Sequence, residues 1–490
     1  MKQITLSILL AFLTFSSLFA QDYTTPNTGV VWSLADIAAA SPTTITGSGS
    51  NYTLLGNLTV AENDTVLIET DLTLSIDAGL RITVFGTFIV DSNQVTFTAI
   101  DQAAPYDGFR FEDNSVINIK NSTITYGGGL RVLTANFIIT DSTLSFNVSG
   151  TTSSAVIQLS KGKPQILFNT ITFNENPAIG SAANAQVSAV INGNYIEGNN
   201  IVNSNRPQIN LGVTIPSETL QIINNTIIGD PANDMAGGIA LANFVGGNMD
   251  ANITQNIIRN NRYGIAILGT NANVEITYNI IEDNNTQGNP DLGGSGINVI
   301  SASSTMTVNI IGNEIRRNLW GITLQDQAMI NLGADVTNGG NNTFSENGNG
   351  GVVYALYNNT PNTILAKQNC WIEGQESTAQ DVEGVIFHNV DDPTLGEVVF
   401  EPFLCGITVG IEDNNLANFG FYPNPVKNEI NFNNIHSFET VEIYGIQGNL
   451  ISTKVILEGV QTLPVNLPSG LYFVNFSSKT GSITKKMIVE

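Results

Sequence analysis

The chain has 490 residues and a formal net charge of −24, with only 12% charged residues and 46 glycines. A chain of this length would ordinarily split into about three domains, but a repeat architecture can run as one body because each unit packs only on its neighbours. The acid is concentrated: residues 21–410 hold 35 Asp or Glu against 12 Lys or Arg, whereas residues 411–490 hold 7 against 5. A field of that sign sets nucleic acid aside and disfavours anionic membranes and polyanionic sugars unless calcium bridges them.

Residues 1–20 carry Lys2, the apolar stretch ILLAFLTF and a small residue, Ala20, before Gln21. That is the pattern of a cleavable signal peptide, with no cysteine after the cut to take a lipid anchor. No later segment reaches the 18 or so apolar residues that span a bilayer, so the mature protein is expected to be soluble or attached by other means. Ser33 followed by Asp36 reads as a helix N-cap with an acidic partner. A short helix over 34–40, stapled by Trp32 on Ile37 and ended before Pro42, would cover the open end of a stacked fold.

The body repeats. Asn169, Asn194, Asn225, Asn256, Asn279, Asn313 and Asn342 each precede an Ile or Phe by two residues, and a second polar residue follows three later at Asn174, Asn199, Asp230, Asn261, Asn284, Asn318 and Asn347. Successive copies lie 25, 31, 31, 23, 34 and 29 residues apart, the length of one β-helix turn with insertions. Runs such as YGIAIL, SGINVI and WGITL alternate apolar and polar side chains, so half of them point inward. Asparagine suits the corners because it tolerates the left-handed backbone region and bonds locally, and stacked amides can hydrogen-bond rung to rung.

Upstream segments 72–90, 109–126 and 137–147 continue the pattern with looser spacing, and the last rung is expected over 369–404. At about 25 residues per rung some fifteen rungs would make a rod of about 70 Å. These residues resemble the right-handed parallel β-helix repeat family, known in polysaccharide lyases, polygalacturonases, periplasmic carbohydrate-binding proteins and adhesins. The resemblance covers the body, 21–405, and implies a fold rather than an activity. Cys370 and Cys405 flank its last part; in an oxidising compartment they are disulfide candidates, with two buried thiols as the alternative.

After a linker at 406–415 the texture changes. Over 416–490, strands broken by Gly, Pro and Asn argue for a small antiparallel β-sandwich. The box Tyr422, Pro423, Asn424, Pro425, then Gly448, then Gly470 and Tyr472, and finally Lys485 and Lys486 before Met-Ile-Val, stand in the order of the type A sorting domain of type IX secretion, which this segment resembles. The resemblance implies type IX machinery as partner and a secreted or outer-membrane surface-attached location.

A catalytic constellation is not legible. Only His388 lies in the body, with His436 in the C-terminal segment, and a lone histidine is usually structural. The densest cations, Arg259, Arg262, Arg316 and Arg317, fall in columns that read Arg259, Glu282, Arg316 and Asp283, Arg317, Glu346. Opposite charges alternating at about 4.8 Å are cross-strand ion pairs rather than a substrate clamp. Extra residues after the second corner, at 231–236 and 286–294, project loops from one side, where Tyr263 and Trp320 occupy equivalent positions. A glycan-contact patch of Tyr263, Trp320, Asp234 and Asp291 is the functional expectation, against aromatics packed under the loops. No cofactor is expected, and calcium has no Asp-x-Asp-x-Asp loop here to hold it. The sequence therefore reads as an all-β exported protein, glycan-binding or adhesive, with a polysaccharide lyase or glycoside hydrolase as the alternative.

Overall fold

In the computed structural model the described residues are 21–150, 154–288, 294–404, 420–433, 440–445, 449–456, 462–478 and 481–490. The signal stretch, the linker, Cys405, Asp291, His436 and Gly448 lie outside them. The chain divides into two compact units, Met1–Gly406 and Ile407–Glu490.

The first unit is a parallel β-helix. Among the described residues it holds three long sheets of 14, 13 and 11 strands, and each turn of the chain adds one strand to each sheet. Ile239–Asn243, for instance, pairs in parallel with Ile209–Leu211 on one side and Ile265–Gly269 on the other. Fourteen strands at about 4.8 Å give the 14-stranded sheet a length of about 60 Å. Register explains the dry centre: Ile179, Ile209, Ile239, Ile265, Ile297 and Ile322 stand directly over one another and are completely buried. Each such side chain contributes about 2–3 kcal/mol of transfer free energy. Towards the start, wider rungs are filled by Phe88, Phe97, Phe109, Phe111 and Phe137, which meet one another at centroid distances of 5.3–6.4 Å.

Two asparagine ladders hold the corners. At the first, the side-chain N–H of Asn169 donates to the Oδ1 of Asn194, and the relay continues through Asn225, Asn256, Asn279, Asn313 and Asn342 to Asn369, every link 2.9–3.0 Å. The left-handed residue is not the ladder asparagine but the one before it: Phe168, Gly193, Asn224, Gln255, Tyr278, Gly312, Asn341 and Gln368 all have φ between 51° and 69°. The ladder residue keeps its amide inside the corner, and its predecessor takes the bend with its side chain outward. That corrects the reason given above for asparagine at these positions.

The second ladder runs Asn147, Asn174, Asn199, then Asn261, Asn284, Asn318 and Asn347, and the repeat pattern puts Asp230 in the gap. The structure puts Gln208 there instead. Asn199 donates to Gln208 Oε1 at 3.1 Å, and Gln208 Nε2 donates to Asn261 Oδ1 at 3.0 Å. A carboxylate has no N–H to pass the relay on, so Asp230 turns away and accepts from Ala232 N at the start of a loop.

Both ends of the rod carry a short capped helix. Leu34–Ala40 has the Ser33/Asp36 capping box and buries Leu34 and Ile37. Ala379–Glu383 has a second box, Thr378/Asp381, which the strand-based reading of 369–404 did not foresee. Before the first helix the Asp64 carboxylate accepts from the backbone N–H groups of Asn27, Thr28, Gly29 and Val30 at 2.8–3.1 Å. Burial raises the Asp64 pKa, but these bonds and the Thr25 hydroxyl outweigh it and hold the carboxyl below its ordinary value.

The second unit is built from antiparallel sheets. Gly420–Tyr422, Glu429–Asn433 and Thr462–Pro464 form one; Leu450–Val455, Thr440–Gly445, Gly470–Ser478 and Gly481–Val489 form the other. Val426, Ile430, Val441, Ile443, Val474, Phe476 and Met487 make its core.

Candidate functional site

Inner columns and corners are committed to packing, and the patch expected from the sequence falls on the outer face of the 14-stranded sheet and the loops beside it. Loops after the second corner are knitted together rung to rung. Asn203 Nδ2 donates to Asp234 Oδ1 at 2.8 Å, Met235 N donates to Asn203 Oδ1 at 2.8 Å, and Arg262 Nη1 donates to Asn205 Oδ1. Asp234 thus serves as a loop tie, and Asp291 is not among the described residues.

Tyr263 and Trp320 do share a column, two rungs apart, because Ile265, Ile297 and Ile322 are in register and Ser295 pairs with Trp320. Their settings differ. The Tyr263 ring lies where a Cβ on Gly237 would be, 2.3 Å from its nearest atom, and burial pushes its hydroxyl up to about 12. Trp320 instead opens a ring stack on the outer face: Trp320 to Tyr357 at 4.6 Å, and Tyr357 to Phe387 at 4.4 Å, within 8° of parallel, with Tyr354 edge-on. Between them, Asn298 Oδ1, Thr286 Oγ1 and Gln287 Oε1 are buried oxygens with no partner among the described residues.

Nearer the start of the rod the same face holds a recess of about 160 Å³, lined by Ser154, Ala155, Gln158, Pro177, Gly180, Ser181, Arg206 and Asn210. Gly180 forms its floor between Gln158 and Asn210 in the outward column. Gln158 is 2% exposed and its Oε1 accepts from Ser154 Oγ at 2.7 Å; Arg206 reaches over to Ser154 O at 3.4 Å. Directly before Gln158 in that column come Arg131 and then Arg110. Arg110 is neutralised by Glu112. Arg131 has no carboxylate partner among the described residues, and burial, then the Arg110 charge, lowers its pKa. The asparagine repeat does not mark this group; its signal in the sequence is the recurrence of Gly-x-Arg at Gly108-Phe109-Arg110 and Gly129-Leu130-Arg131.

The other arginines keep the register of the columns but pair partly across them, and of the expected column pairs only Arg317 with Asp283 is an ion pair among the described residues. Arg259, Glu282 and Arg316 are in register. Arg317 makes two 2.8 Å bonds to Asp283 and one to Glu282, and Arg316 grips Glu373 with two bonds of 2.7 Å. His388 is buried; Val398 N donates to its Nδ1 at 2.9 Å, which leaves Nε2–H to donate to Glu383 at 2.8 Å. Among the described residues no group of three or more His, Cys, Asp or Glu is placed to hold a metal, and no helix is long and apolar enough to cross a membrane. Cys370 is buried in the last rungs.

In the C-terminal unit the widely separated blocks of the motif meet. Asn424 donates to Lys486 O at 3.0 Å and accepts from Ile488 N at 2.8 Å, so the box of Tyr422, Pro423, Asn424 and Pro425 is laid against the strand that carries Lys485 and Lys486. Tyr472, on the strand begun by Gly470, donates its hydroxyl to Pro468 O at 2.8 Å.

Residues 420–490 match the family of secretion system C-terminal sorting domains. No curated protein and no solved structure was found to match the chain. The sorting domain makes this a secreted or cell-surface protein and implies contact with the type IX secretion machinery.

Proposed function

We propose that this secreted or cell-surface protein is a glycan-binding or adhesive rod, delivered by type IX secretion after removal of residues 1–20, that captures sugar along the outer face of its 14-stranded sheet. The observation that carries the reading is the sharing of one face by a polar recess at Gln158, Gly180 and Asn210 and an aromatic stack begun by Trp320. Sugar rings offer apolar C–H faces to aromatics and hydroxyls to amides, and carbohydrate sites combine a few placed polar groups with aromatic lining. Asn298 stands in the outward column between the two and adds a polar side chain to the face. In this reading Tyr263 supports the face from beneath, Trp320 contacts sugar, and Asp234 and Asp291 belong to the loops that border it.

The test is a glycan array probed with the full-length chain and with the Tyr263→Ala, Trp320→Ala double variant, both checked for unchanged melting. Loss of signal on the sugars bound by the wild type supports the reading; an identical profile removes it. Release of reducing ends from a bound polysaccharide would instead favour the degradative alternative.

A further inference from the structure

The outward column of the 14-stranded sheet contains an electrostatic anomaly. Arg110, Arg131, Gln158, Gly180 and Asn210 follow one another in register. Two arginines therefore stand on neighbouring strands about 4.8 Å apart, and like charges so placed ordinarily destabilise a sheet. Glu112 neutralises the first, while Arg131 is partly buried with no carboxylate partner among the described residues. In a chain with a net charge of −24 and abundant acid, Arg316 and Arg317 by contrast are each bonded to carboxylates. One rung beyond Arg131 the recess opens, with Arg206 on its rim and Gln158 on its wall. The Gln158 oxygen is occupied by Ser154, so its amide N–H donors are what remain to offer.

From this we infer that the recess takes an anionic substituent of a sugar, a carboxylate or a sulfate ester, met by Arg206 on the rim and by Gln158 donating, with Arg131 on the adjacent strand supplying further positive charge. The inference rests on the glycan-binding reading and names the class of sugar. Guanidinium groups match planar or tetrahedral oxyanions with paired N–H bonds. The overall negative charge does not forbid it: at physiological salt the Debye length is about 8 Å, so the local arginines outweigh remote acid. A long polyanion remains disfavoured, and a short or sparsely charged one is expected.

The experiment is calorimetric titration of the full-length chain with three probes: trigalacturonate, a singly sulfated trisaccharide and neutral cellotriose. Wild type is compared with Arg131→Gln and Arg206→Gln. The expected result is tighter binding of a charged probe than of cellotriose, a loss of at least about tenfold in each variant, and weaker binding as salt rises. The carboxylated and sulfated arms decide which oxyanion is preferred. Thermal melts of the unliganded proteins give an independent reading: Arg131→Gln is expected to melt no lower than wild type, because it relieves repulsion with Arg110. Binding of the charged probes that is indifferent to both substitutions, or equal affinity for cellotriose, overturns this inference and leaves glycan binding standing. Absence of binding by all three probes, with no glycan bound on the array, removes both.

Discussion

The two corners of the rod are built from the same residue and treated differently. At the first corner eight amides, Asn169 through Asn369, form an unbroken relay, which persists even where residues 334–339 loop out before Asn342. At the second the relay is interrupted at the Asp230 rung and carried across by Gln208, the residue just before the strand Ile209–Leu211, and the long insertions leave from this corner. The contrast separates what the fold requires from what it permits. The corner whose relay takes a substitute hosts the longer loops, and these border the outer face where the recess and the aromatic stack lie.

The largest effect should come from breaking the uninterrupted relay. Asn256→Ala strips a donor from Ile222 O and Asn279 Oδ1 and an acceptor from the backbone and side chain of Asn225. With buried unpaired groups costing about 1–3 kcal/mol each, urea denaturation should show a loss of about 3–4 kcal/mol. At the second corner Gln208→Leu should cost about 2–3 kcal/mol by the same measurement, since Asn199 loses its acceptor and Ile228 O its donor. A negligible loss there would mean that the bridge is incidental and that the two corners differ less than argued.

A charged anchor outside both corners gives the next effect and a distinct signature. Asp64 sits below its ordinary carboxylate pKa when folded, so its contribution is complete above the unfolded value of about 4 and is lost as pH falls through the folded value. Asp64→Asn should cost about 1–2 kcal/mol at pH 7, judged from charge-assisted bonds, with the difference from wild type closing in strong acid. Arg317→Ala should cost no more than about 1 kcal/mol, because a half-exposed ion pair is screened by solvent. Smallest of all, Asp230→Asn should change stability by under about 0.5 kcal/mol, since the carboxylate only starts a loop. A loss as large as that of Asn256→Ala would place position 230 back in the relay.

Much of the rod was legible because its period is written in side chains. Asn225, Asn256 and Asn279 announce the corners, the Ile two places on announces the interior, and the Arg259, Glu282, Arg316 column follows from that alignment alone. Less legible was anything that depends on contact between residues of different columns. Gln208 is invisible as a ladder member because nothing local distinguishes it, and the left-handed residue before each asparagine varies from glycine to phenylalanine, so only the backbone reveals its role. Tyr263 and Trp320 are equivalent by alignment, yet glycine at 237 leaves room for one ring to lie against the neighbouring rung while Tyr357 and Phe387 extend the other into a stack. The recess was missed for a related reason: upstream of residue 147 the asparagine marker is absent, so Arg110, Arg131 and Gln158 could not be set in one column until strand pairing was known.

The most direct test of the account is to fill the recess without touching a charge. Gly180 has ordinary backbone geometry and faces outward, and an added Cβ would come no closer than 3.1 Å to Ala155. Gly180→Leu should therefore fold once Ala155 yields by a few tenths of an ångström, and its side chain should occupy most of the space between Gln158 and Arg206. Loss of glycan binding by that folded variant is what the account predicts; undiminished binding would show that the sugar is captured somewhere else.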